Sequence, residues 1–463
     1  MTGRRRRFLP RDRASRLGAV GGAAAVLVCA GAVALWPGSS GYRSLAPACD
    51  RSELVVAGGT DVSLNSQRRQ LVQDWNARGN PHATLVEVAE STDSQHSQIK
   101  AMEESGGCGY DVLVMDNTWT AEFAAAGYLR PLDGIGKRGD FFPAALETGQ
   151  WHGEQYAVPF NVDVGLLYQR EGAQAPATWS DLLDSGIATQ LDDYEGLTVN
   201  ALEAVWNDGG GGLLTGEKRP DEKKLREKVY PALERLASHV QEPRSSHWPL
   251  TASRSYDEQK SMETFMLGAP LMRNWPYAFS TLATEPGMRD GPRLRYSVTA
   301  LPGTTVLGGQ NLAVSKYSPH PDAALKLVEF LSGTDSQRLL FSCGGFAPGR
   351  YSALGLSPGR HAAADVRVER CSAAKQGLKS GDAGTDAAES EQVELDEAQL
   401  TGLAKAVVQA LDRAQPRPVT PRYSTFTGTF RGCVQKIFDG PGTDAKTFAE
   451  AVERSLDGRT ASC

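Results

Sequence analysis

The sequence lacks the motifs of several enzyme classes. None of its seven histidines lies in an HExxH motif or another spacing typical of metal ligands, and no two cysteines form a CxxC pair. The sequence also has no GxSxG nucleophile elbow, phosphate-binding loop or GxGxxG turn. A glycoside hydrolase needs two carboxylates at a set separation, and the 55 acidic residues allow too many such pairs to be informative. Together these features disfavour an enzyme.

Basic residues are fewer than acidic ones beyond the first 48 residues. That segment holds eight arginines and one acid, a net charge of +7, whereas all 463 residues together carry −6. The remaining residues therefore carry −13. Because nucleic-acid binding needs a basic surface that displaces counterions from phosphates, the acidic bulk predicts no nucleic-acid partner. The length allows roughly two or three domains.

The one long apolar run is LGAVGGAAAVLVCAGAVALW at residues 17–36. It is long enough to cross a hydrocarbon core of ~30 Å, and the arginines before it favour a cytoplasmic N-terminus. We predict a signal anchor that places the rest of the chain outside the cell. The alternatives are cleavage after Ala48, or lipidation at Cys29, where the preceding Val28 is bulky for lipoprotein processing.

Cysteine usage agrees with export. Cys29 lies in the apolar run, and the six other cysteines are an even number, which favours three disulfides in an exported chain. Cys49 and Cys108 each precede a predicted strand, and parallel neighbouring strands would bring both to one sheet edge, so we predict that they pair. Proximity in sequence favours the two further pairs Cys343–Cys371 and Cys433–Cys463.

Short apolar strands alternate with helices after residue 49. Strands are predicted at 53–58, 84–88 and 110–115, and a helix capped by Asp93 is predicted at 93–105. This alternation predicts an α/β fold with a doubly wound sheet. Such sheets bind ligands at the carboxyl ends of their strands, which draws attention to residues 59–61 and 116–119.

Three later segments carry specific predictions. Residues 155–160 and 164–170 are predicted to form a hinge-type strand pair around 161–163. Residues 372–392 are rich in Gly, Ala, Ser and acids, which predicts an exposed insertion. The prolines at 415–418 predict a stiff joint before the C-terminal helices.

Seven segments, in order along the chain, carry a family resemblance: YDVLVMDNTWTAEFAAAGYLRPLD (110–133), QYAVPFNVDVGLLYQR (155–170), YEGLTVNALEAVW (194–206), APLMRNWPYAF (269–279), LPG followed by LGGQNLAVS (301–315), GGFAPGR (344–350) and RPVTPRY (417–423). From residue 53 onward the chain resembles the extracellular solute-binding proteins of carbohydrate ABC importers, in particular the maltose/trehalose-type group of actinobacteria. The resemblance implies a two-lobed type II periplasmic-binding-protein fold, here preceded by an N-terminal membrane-spanning segment.

The resemblance also implies how the chain is divided and what it contacts. The predicted parts are a basic N-terminus with a signal or anchor helix (1–48), a first lobe (49–160), mainly a second lobe (161–310), a return to the first lobe (311–371), an exposed insertion (372–397) and C-terminal helices (398–463). The implied partners are a small saccharide, the permease subunits of an ABC importer and, through the N-terminal helix, the membrane. No metal or cofactor is implied.

By resemblance, the ligand-binding residues are Asp116, Trp119, Asn161, Asp163, Asp257, Glu258, Asn274, Trp275, Tyr277, Gly308, Gly309, Gln310 and Arg417. Carboxylates and amides would bind sugar hydroxyls, Trp275 would stack on the C–H face of a sugar with Tyr277 at its flank, and the glycines would admit the ligand to the backbone. Either Asp257 or Glu258 would supply the acceptor at that point.

Structural roles are alternatives for several of these residues. Asp116 is equally suited to cap a helix, Trp119 to pack in the core, Asp163 to stabilise a turn and Trp275 to anchor a loop. Arg417 is alternatively a surface arginine held by its proline neighbours.

Two other functions are alternatives to transport. Gln310 stands where relatives often carry an aromatic residue, which leaves the sugar open. That departure and the poor lipidation site support an alternative function, a membrane-anchored ligand sensor of the same fold coupled to a signalling protein. A cell-wall glycan hydrolase is the third hypothesis.

Overall fold

The protein was analysed as a computed structural model that describes residues 49–89, 91–136, 138–242, 248–359, 362–371, 395–440 and 442–463. Cys49–Cys463 forms one compact unit. The predicted apolar span at 17–36 and the predicted insertion at 372–392 lie outside the described residues, so both stay predictions. Within the described ranges, no helix is long and apolar enough to cross a membrane.

The described strands form a six-stranded sheet, a three-stranded sheet and two short hairpins. In chain order they are β1 (Leu54–Gly58), β2 (Ala83–Glu87), β3 (Val112–Asp116), β4 (Gln150–Trp151), β5 (Glu154–Gln155), β6 (Ala157–Val164), β7 (Leu166–Arg170), β8 (Leu271–Asn274), β9 (Arg289–Asp290), β10 (Arg293–Leu294), β11 (Tyr296–Ala300), β12 (Thr305–Val314) and β13 (Ala414–Pro416). The three strands predicted before residue 116 are confirmed as β1 to β3.

The six-stranded sheet is the base of the first lobe. Its strands β2, β1 and β3 are parallel, β12 runs antiparallel to β3, and β6 pairs with the opposite edge of β12. The strand β3 is almost entirely buried, as expected of a central strand with both faces covered. The predicted alternation of strands and helices therefore produces a sheet in which the carboxyl ends of β1 and β3 lie at the same edge.

Helices cover both sheets. In chain order they are α1 (Gln67–Ala77), α2 (Thr92–Glu104), α3 (Thr120–Ala125), α4 (Pro143–Glu147), α5 (Trp179–Ser185), α6 (Glu195–Asn207), α7 (Glu222–Lys224), α8 (Tyr230–Gln241), α9 (Glu258–Met266), α10 (Tyr277–Thr284), α11 (Pro321–Leu331), α12 (Thr334–Ser342), α13 (Glu397–Leu411), α14 (Tyr423–Phe438) and α15 (Ala445–Leu456). The predicted cap of α2 was wrong: Ser91 caps it by accepting from the Ser94 N–H, and Asp93 lies in the first turn.

The second lobe is built on the antiparallel sheet β11–β7–β8. Its main core joins α6, α8, α14 and α15 through buried residues such as Leu202, Leu233 and Phe430. A separate core around Val112 and Leu312 fills one side of the first-lobe sheet. Each lobe therefore has its own apolar interior, which is consistent with the predicted two-lobed fold.

The predicted break at 161–163 was wrong, because these residues lie inside the continuous strand β6. The chain instead passes from β6 to β7 at Gly165. A Cβ at Gly165 would approach the side chains of Thr305, Glu203 and Arg273 within 2.6–2.9 Å, so only glycine fits there. A second passage between the sheets, residues 301–304, joins β11 to β12.

The strands β6 and β12 extend across the predicted lobe bounds. Residue 161 lies within β6 and residue 310 within β12, and both strands belong to the first-lobe sheet. The prolines at 415–418 overlap β13, which pairs in parallel with the start of β12. The exact assignment of residues to domains stays a prediction.

All three predicted disulfides are confirmed. They are Cys49–Cys108, Cys343–Cys371 and Cys433–Cys463, with Cα–Cα distances of 5.7, 5.0 and 5.1 Å. The first pair lies at the amino-terminal edge of the β1–β3 sheet, as the parallel arrangement predicted.

Candidate functional site

A cleft of about 250 Å³ lies between the carboxyl edge of the first-lobe sheet and the second lobe. The first-lobe side follows β1 and β3, and Gln310 of β12 pairs directly with Asp116 at the end of β3. The residues that line the cleft are Gly59, Thr60, Val62, Arg68, Thr92, Gln95, Val114, Asp116, Asp163, Tyr194, Glu195, Gly196, Val199, Glu258, Trp275, Tyr277, Gly308, Gly309, Gln310, Phe346 and Arg417.

The structure brings most of the predicted site residues to this cleft. Those that line it are Asp116, Asp163, Glu258, Trp275, Tyr277, Gly308, Gly309, Gln310 and Arg417. Four predicted residues are not part of the lining, namely Trp119, Asn161, Asp257 and Asn274. Whether the lining residues bind a ligand stays a prediction.

Three of these four residues have structural partners. Asp257 caps α9 by accepting from the Lys260 N–H over 2.7 Å, so Glu258 is the carboxylate of this pair that faces the cleft. Asn274 is fully buried, and its side-chain amide donates to the backbone oxygen of Glu258 over 3.1 Å. Asn161 is 2% exposed and lies 3.5 Å from a guanidinium nitrogen of Arg68.

Trp119 lies beside the cleft rather than in it. It is 5% exposed and packs against His96 and Phe123, with ring centroids 5.2 and 6.3 Å away. It also borders a neighbouring cavity of about 230 Å³, which shares Asp116 with the main cleft. The core-packing alternative therefore describes Trp119 better than a place in the main cleft.

Arg417 is held by carboxylates from both lobes. Its guanidinium donates to both oxygens of Asp116 over 2.9 and 3.2 Å, to the amide oxygen of Asn117 over 2.9 Å and to Glu195 over 2.7 Å. Burial works against its charge, but Asp116, the nearby Tyr423 and Glu195 raise the pKa of Arg417 well above its usual value. Arg417 therefore joins β3 to α6, and both of its Nη atoms donate to groups of the protein.

Asp163 has the least satisfied carboxylate of the cleft. It is 7% exposed, one carboxylate oxygen (Oδ1) has no hydrogen-bond partner, and the other oxygen is 3.4 Å from the amide nitrogen of Asn161. Burial, with smaller contributions from Asp116 and Glu258, raises the pKa of Asp163 to about 7 against the opposing charges of Arg68 and Arg273. The site thus contains a buried acceptor that lacks donors.

Trp275 is positioned by partners on its edge and on one face. Its indole N–H donates to Glu258 over 3.1 Å, and Tyr194 donates to the other oxygen of Glu258 over 2.9 Å. The guanidinium of Arg273 lies 3.8 Å from the ring centroid and is in turn paired with Glu203. Because the half-buried ring also lines the cleft, its second face is available to a ligand.

The two glycines of β12 have different roles. A Cβ at Gly309 would lie 2.4 Å from the backbone oxygen of Asn161, so this glycine is needed for β12 to approach β6. A Cβ at Gly308 would lie 3.4 Å from the Asp163 Cβ and 3.6 Å from the Trp275 ring. Gly308 therefore marks the point at which Asp163 and Trp275 converge.

Sequence reasoning missed two charged residues of the site. Arg68 of α1 is 7% exposed, donates to Gln310 over 2.8 Å and lies 4.4 Å from the Phe346 ring centroid. Glu195 stands at the start of α6 and binds Arg417. Arg68 is a basic residue on the apolar face of α1, the face that also carries Leu71. That position is the one sequence signal that could have indicated its role.

The fold defines the class to which the protein belongs. The structure superposes on the maltose-bound MalE3 of T. maritima with a TM-score of 0.68 at 22% identity, over 88% of this chain and 99% of the other. The GacH receptor of Streptomyces glaucescens gives a TM-score of 0.63 at 18% identity, over 88% of this chain and 99% of that receptor. These are two-lobed α/β binding-protein folds, and identities this low show the fold alone.

Sequence comparison then gives the family. Residues 70–365 match the profile of the bacterial extracellular solute-binding proteins, and the chain belongs to that family of binding proteins, which are not enzymes. A probable ABC transporter-binding protein of Deinococcus radiodurans is 25% identical over 57% of this chain and 68% of its own length. A maltotriose-binding protein of Pyrococcus abyssi is 24% identical over 50% of this chain and 49% of its own length.

Proposed function

We propose that this protein binds a small saccharide in the cleft outside the cell and delivers it to the permease subunits of an ABC importer. The observation that carries the proposal is the convergence of an aromatic face, Trp275, and an unpartnered buried carboxylate, Asp163, on the glycine at 308. A sugar ring offers a C–H face to the first and hydroxyl donors to the second.

The relatives support this ligand class. One is named a maltotriose-binding protein and another an ABC transporter-binding protein, and the superposed MalE3 holds maltose. In this chain, Gln310 accepts a hydrogen bond from Arg68. The position at which relatives often carry an aromatic residue is therefore polar, and its side chain is bonded within the protein. This favours a saccharide whose stacking surface is concentrated at Trp275 and Tyr277.

Closure of the lobes is the proposed means of capture. The cleft combines first-lobe groups such as Asp116 and Gln310 with second-lobe groups such as Glu258 and Trp275. A ligand that bonds to both sets favours the closed state by its differential affinity. The two passages between the sheets, at Gly165 and at residues 301–304, are the short segments in which such a hinge motion would be absorbed.

A thermal-shift panel on the purified full chain tests the proposal. Mono- to tetrasaccharides are added one at a time, with amino acids and short peptides as controls of similar size. A ligand at 100 times its Kd stabilises the folded protein by about 2.7 kcal/mol, which raises the melting temperature measurably. The proposal fails when no saccharide shifts the melting temperature, or when an amino acid or peptide does so instead.

A further inference from the structure

The charges that line the cleft do not balance. Among its lining residues are four carboxylates, Asp116, Asp163, Glu195 and Glu258, but only two cationic side chains, Arg68 and Arg417, and neither lysine nor histidine. A neutral sugar does not need an excess of carboxylates, because amides bind hydroxyl groups as well as carboxylates do. The surplus of negative charge therefore calls for a separate explanation.

The two cations are committed to particular partners. Arg417 is shared by Asp116 and Glu195, over 2.9 and 2.7 Å. Arg68 donates to the neutral Gln310 over 2.8 Å. Within the part of the chain that the structure describes, neither Asp163 nor Glu258 takes part in an ion pair. Arg417 offsets one of the two charges of Asp116 and Glu195, and Arg68 acts on Asp163 without forming an ion pair, so Asp163 and Glu258 are the carboxyl groups of the cleft that lack an ion-pair partner within the described ranges.

Asp163 and Glu258 both lie near the Trp275 ring, Glu258 at its indole N–H and Asp163 beside Gly308, where a Cβ would lie 3.4 Å from the Asp163 Cβ and 3.6 Å from the ring. Glu258 accepts two hydrogen bonds from neutral donors, the indole N–H of Trp275 and the hydroxyl of Tyr194. Asp163 is more than nine-tenths buried, and its Oδ1 has no partner. Burial, together with Asp116 and Glu258, raises the pKa of Asp163 against the opposing charges of Arg68 and Arg273. Asp163 therefore has one unpartnered oxygen and no ion pair among the described residues, and a bound cation would favour its ionised form.

We infer that the ligand is a saccharide carrying a protonated amine, and that the ammonium group lies between Asp163 and Glu258 over the free face of Trp275. This inference rests on the proposed saccharide binding and specifies its substrate class. An ammonium donates up to three hydrogen bonds, makes charge-assisted contacts with carboxylates and is attracted to an indole face. It offsets the charge excess, which neutral hydroxyls leave in place.

Matched ligand pairs test the inference by calorimetry on the full chain, at a pH near 7.5, where Asp163 with its pKa of about 7 is mostly ionised and an amine of ordinary pKa is still more than half protonated. One pair is cellobiose and chitobiose, the disaccharide of glucosamine, with N,N′-diacetylchitobiose as the neutral acetylated form. The other pair is maltose and 6′-amino-6′-deoxymaltose, so both linkages are covered. We expect the amine of at least one pair to bind about tenfold or more tightly than its neutral partner, a difference of about 1.4 kcal/mol.

Substitutions locate the effect. Asp163→Asn should remove the preference, so that the two members of each pair bind with equal affinity, and Asp193→Asn, at an exposed carboxylate outside the cleft lining, should leave the preference unchanged. Equal affinity within both pairs, or a preference that survives Asp163→Asn, overturns the inference and leaves saccharide binding standing. Binding of spermidine without binding of any sugar overturns it, and binding of no sugar at all overturns it together with the proposed function.

Discussion

Arg417 donates hydrogen bonds to both carboxylate oxygens of Asp116, over 2.9 and 3.2 Å, although the two residues are 301 positions apart in sequence. The same guanidinium reaches Glu195 of α6 over 2.7 Å. Because β3 belongs to the first-lobe sheet and α6 packs in the second-lobe core, this three-residue network connects the lobes at the rim of the cleft. Its arginine is 4% exposed.

Arg417→Ala should destabilise the protein. The substitution leaves Asp116 and Glu195 close together without a cation, and breaking such a pair from one side costs about 3–5 kcal/mol. Since both carboxylates keep some exposure, we expect a loss near 3 kcal/mol in the free energy of unfolding, measured by urea denaturation. Arg413→Ala, an exposed arginine just before β13, is the control with little effect. Equal stability of the two variants would contradict this role.

Asp163 should make the ligand-free protein more stable in mild acid than above pH 7. Its folded pKa is about 7 against an ordinary 3.8, so the folded state binds the proton more tightly. That contribution is fully present below about pH 4 and is lost as the pH rises through about 7. Its size is on the order of 4 kcal/mol. Asp163→Asn should remove this part of the pH dependence, measured as urea unfolding at several pH values.

A second buried acid provides the control for that measurement. Burial raises the pKa of Glu103 to about 7 against the opposing hydrogen bond from Ser315, so Glu103 adds a slope over the same pH range. Glu103 lies in α2 and does not line the cleft. Glu103→Gln should therefore reduce the slope independently of Asp163→Asn, and the double variant should be flattest. If Asp163→Asn kept the full pH dependence of the wild-type free energy of unfolding, Asp163 would be ionised in the folded protein over this pH range.

The sequence predicted the fold correctly where a local hydrophobic pattern determines the structure. The strand before Asp116 is apolar throughout and ends in polar residues, which marks the carboxyl edge of a buried strand, and the cleft lies there. The pattern failed at 161–163, because Asn161 and Asp163 interrupt an apolar run without ending the strand. Their polarity reflects the cleft and its surroundings rather than a turn.

Long-range partners were beyond the reach of sequence patterns. Arg68 meets Gln310 across 242 residues, and Glu195 meets Arg417 across 222 residues. Neither contact follows from periodicity, since each depends on how two lobes pack. The motif resemblance assigned the donors of Arg417 to a ligand; in the structure Arg417 lines the cleft and its Nη atoms donate to Asp116, Asn117 and Glu195, so a ligand contact stays a prediction.

The pair of Arg273 and Glu203 should be a sensitive point for stability. The guanidinium donates to both oxygens of Glu203 over 2.8 and 3.1 Å, and the two side chains are 2% and 0% exposed. Arg273→Met leaves a buried carboxylate unpaired, so we expect a loss of about 3–5 kcal/mol in the free energy of unfolding. Arg293→Ala, in the exposed pair with Glu171, should cost at most about 1 kcal/mol.

The reverse substitution separates charge from packing in the same measurement. Glu203 also accepts from the hydroxyl of Thr305 and the N–H of Val306, so Glu203→Gln keeps an acceptor for β12 but removes the charge opposite Arg273. The double variant Arg273→Met and Glu203→Gln should lose less than the sum of the single variants. Additive losses would show that the two side chains act independently.

The disulfides can be checked by counting thiols. Six cysteines are paired, and Cys433 and Cys343 are almost completely buried. Alkylation of the unfolded but unreduced protein should therefore label at most Cys29, as read by mass spectrometry, and reduction beforehand should expose all seven cysteines. Labelling of any of the six paired cysteines without reductant would contradict the pairing. A native protein would be a weaker test, because burial also blocks reagents.

Trp275→Ala should strongly reduce the rise in melting temperature caused by a bound saccharide. Arg273 covers one face of the indole at 3.8 Å, so the variant removes the one stacking face that the ring offers to the cleft. Aromatic contacts of this kind contribute about 0.5–1.5 kcal/mol beyond the buried area, so Kd should rise about tenfold or more. Trp275→Phe should restore part of the response. The matched control is Trp151→Ala, a half-buried tryptophan that borders another cavity, and an equal loss of response in that control would show that global destabilisation, not stacking, is responsible.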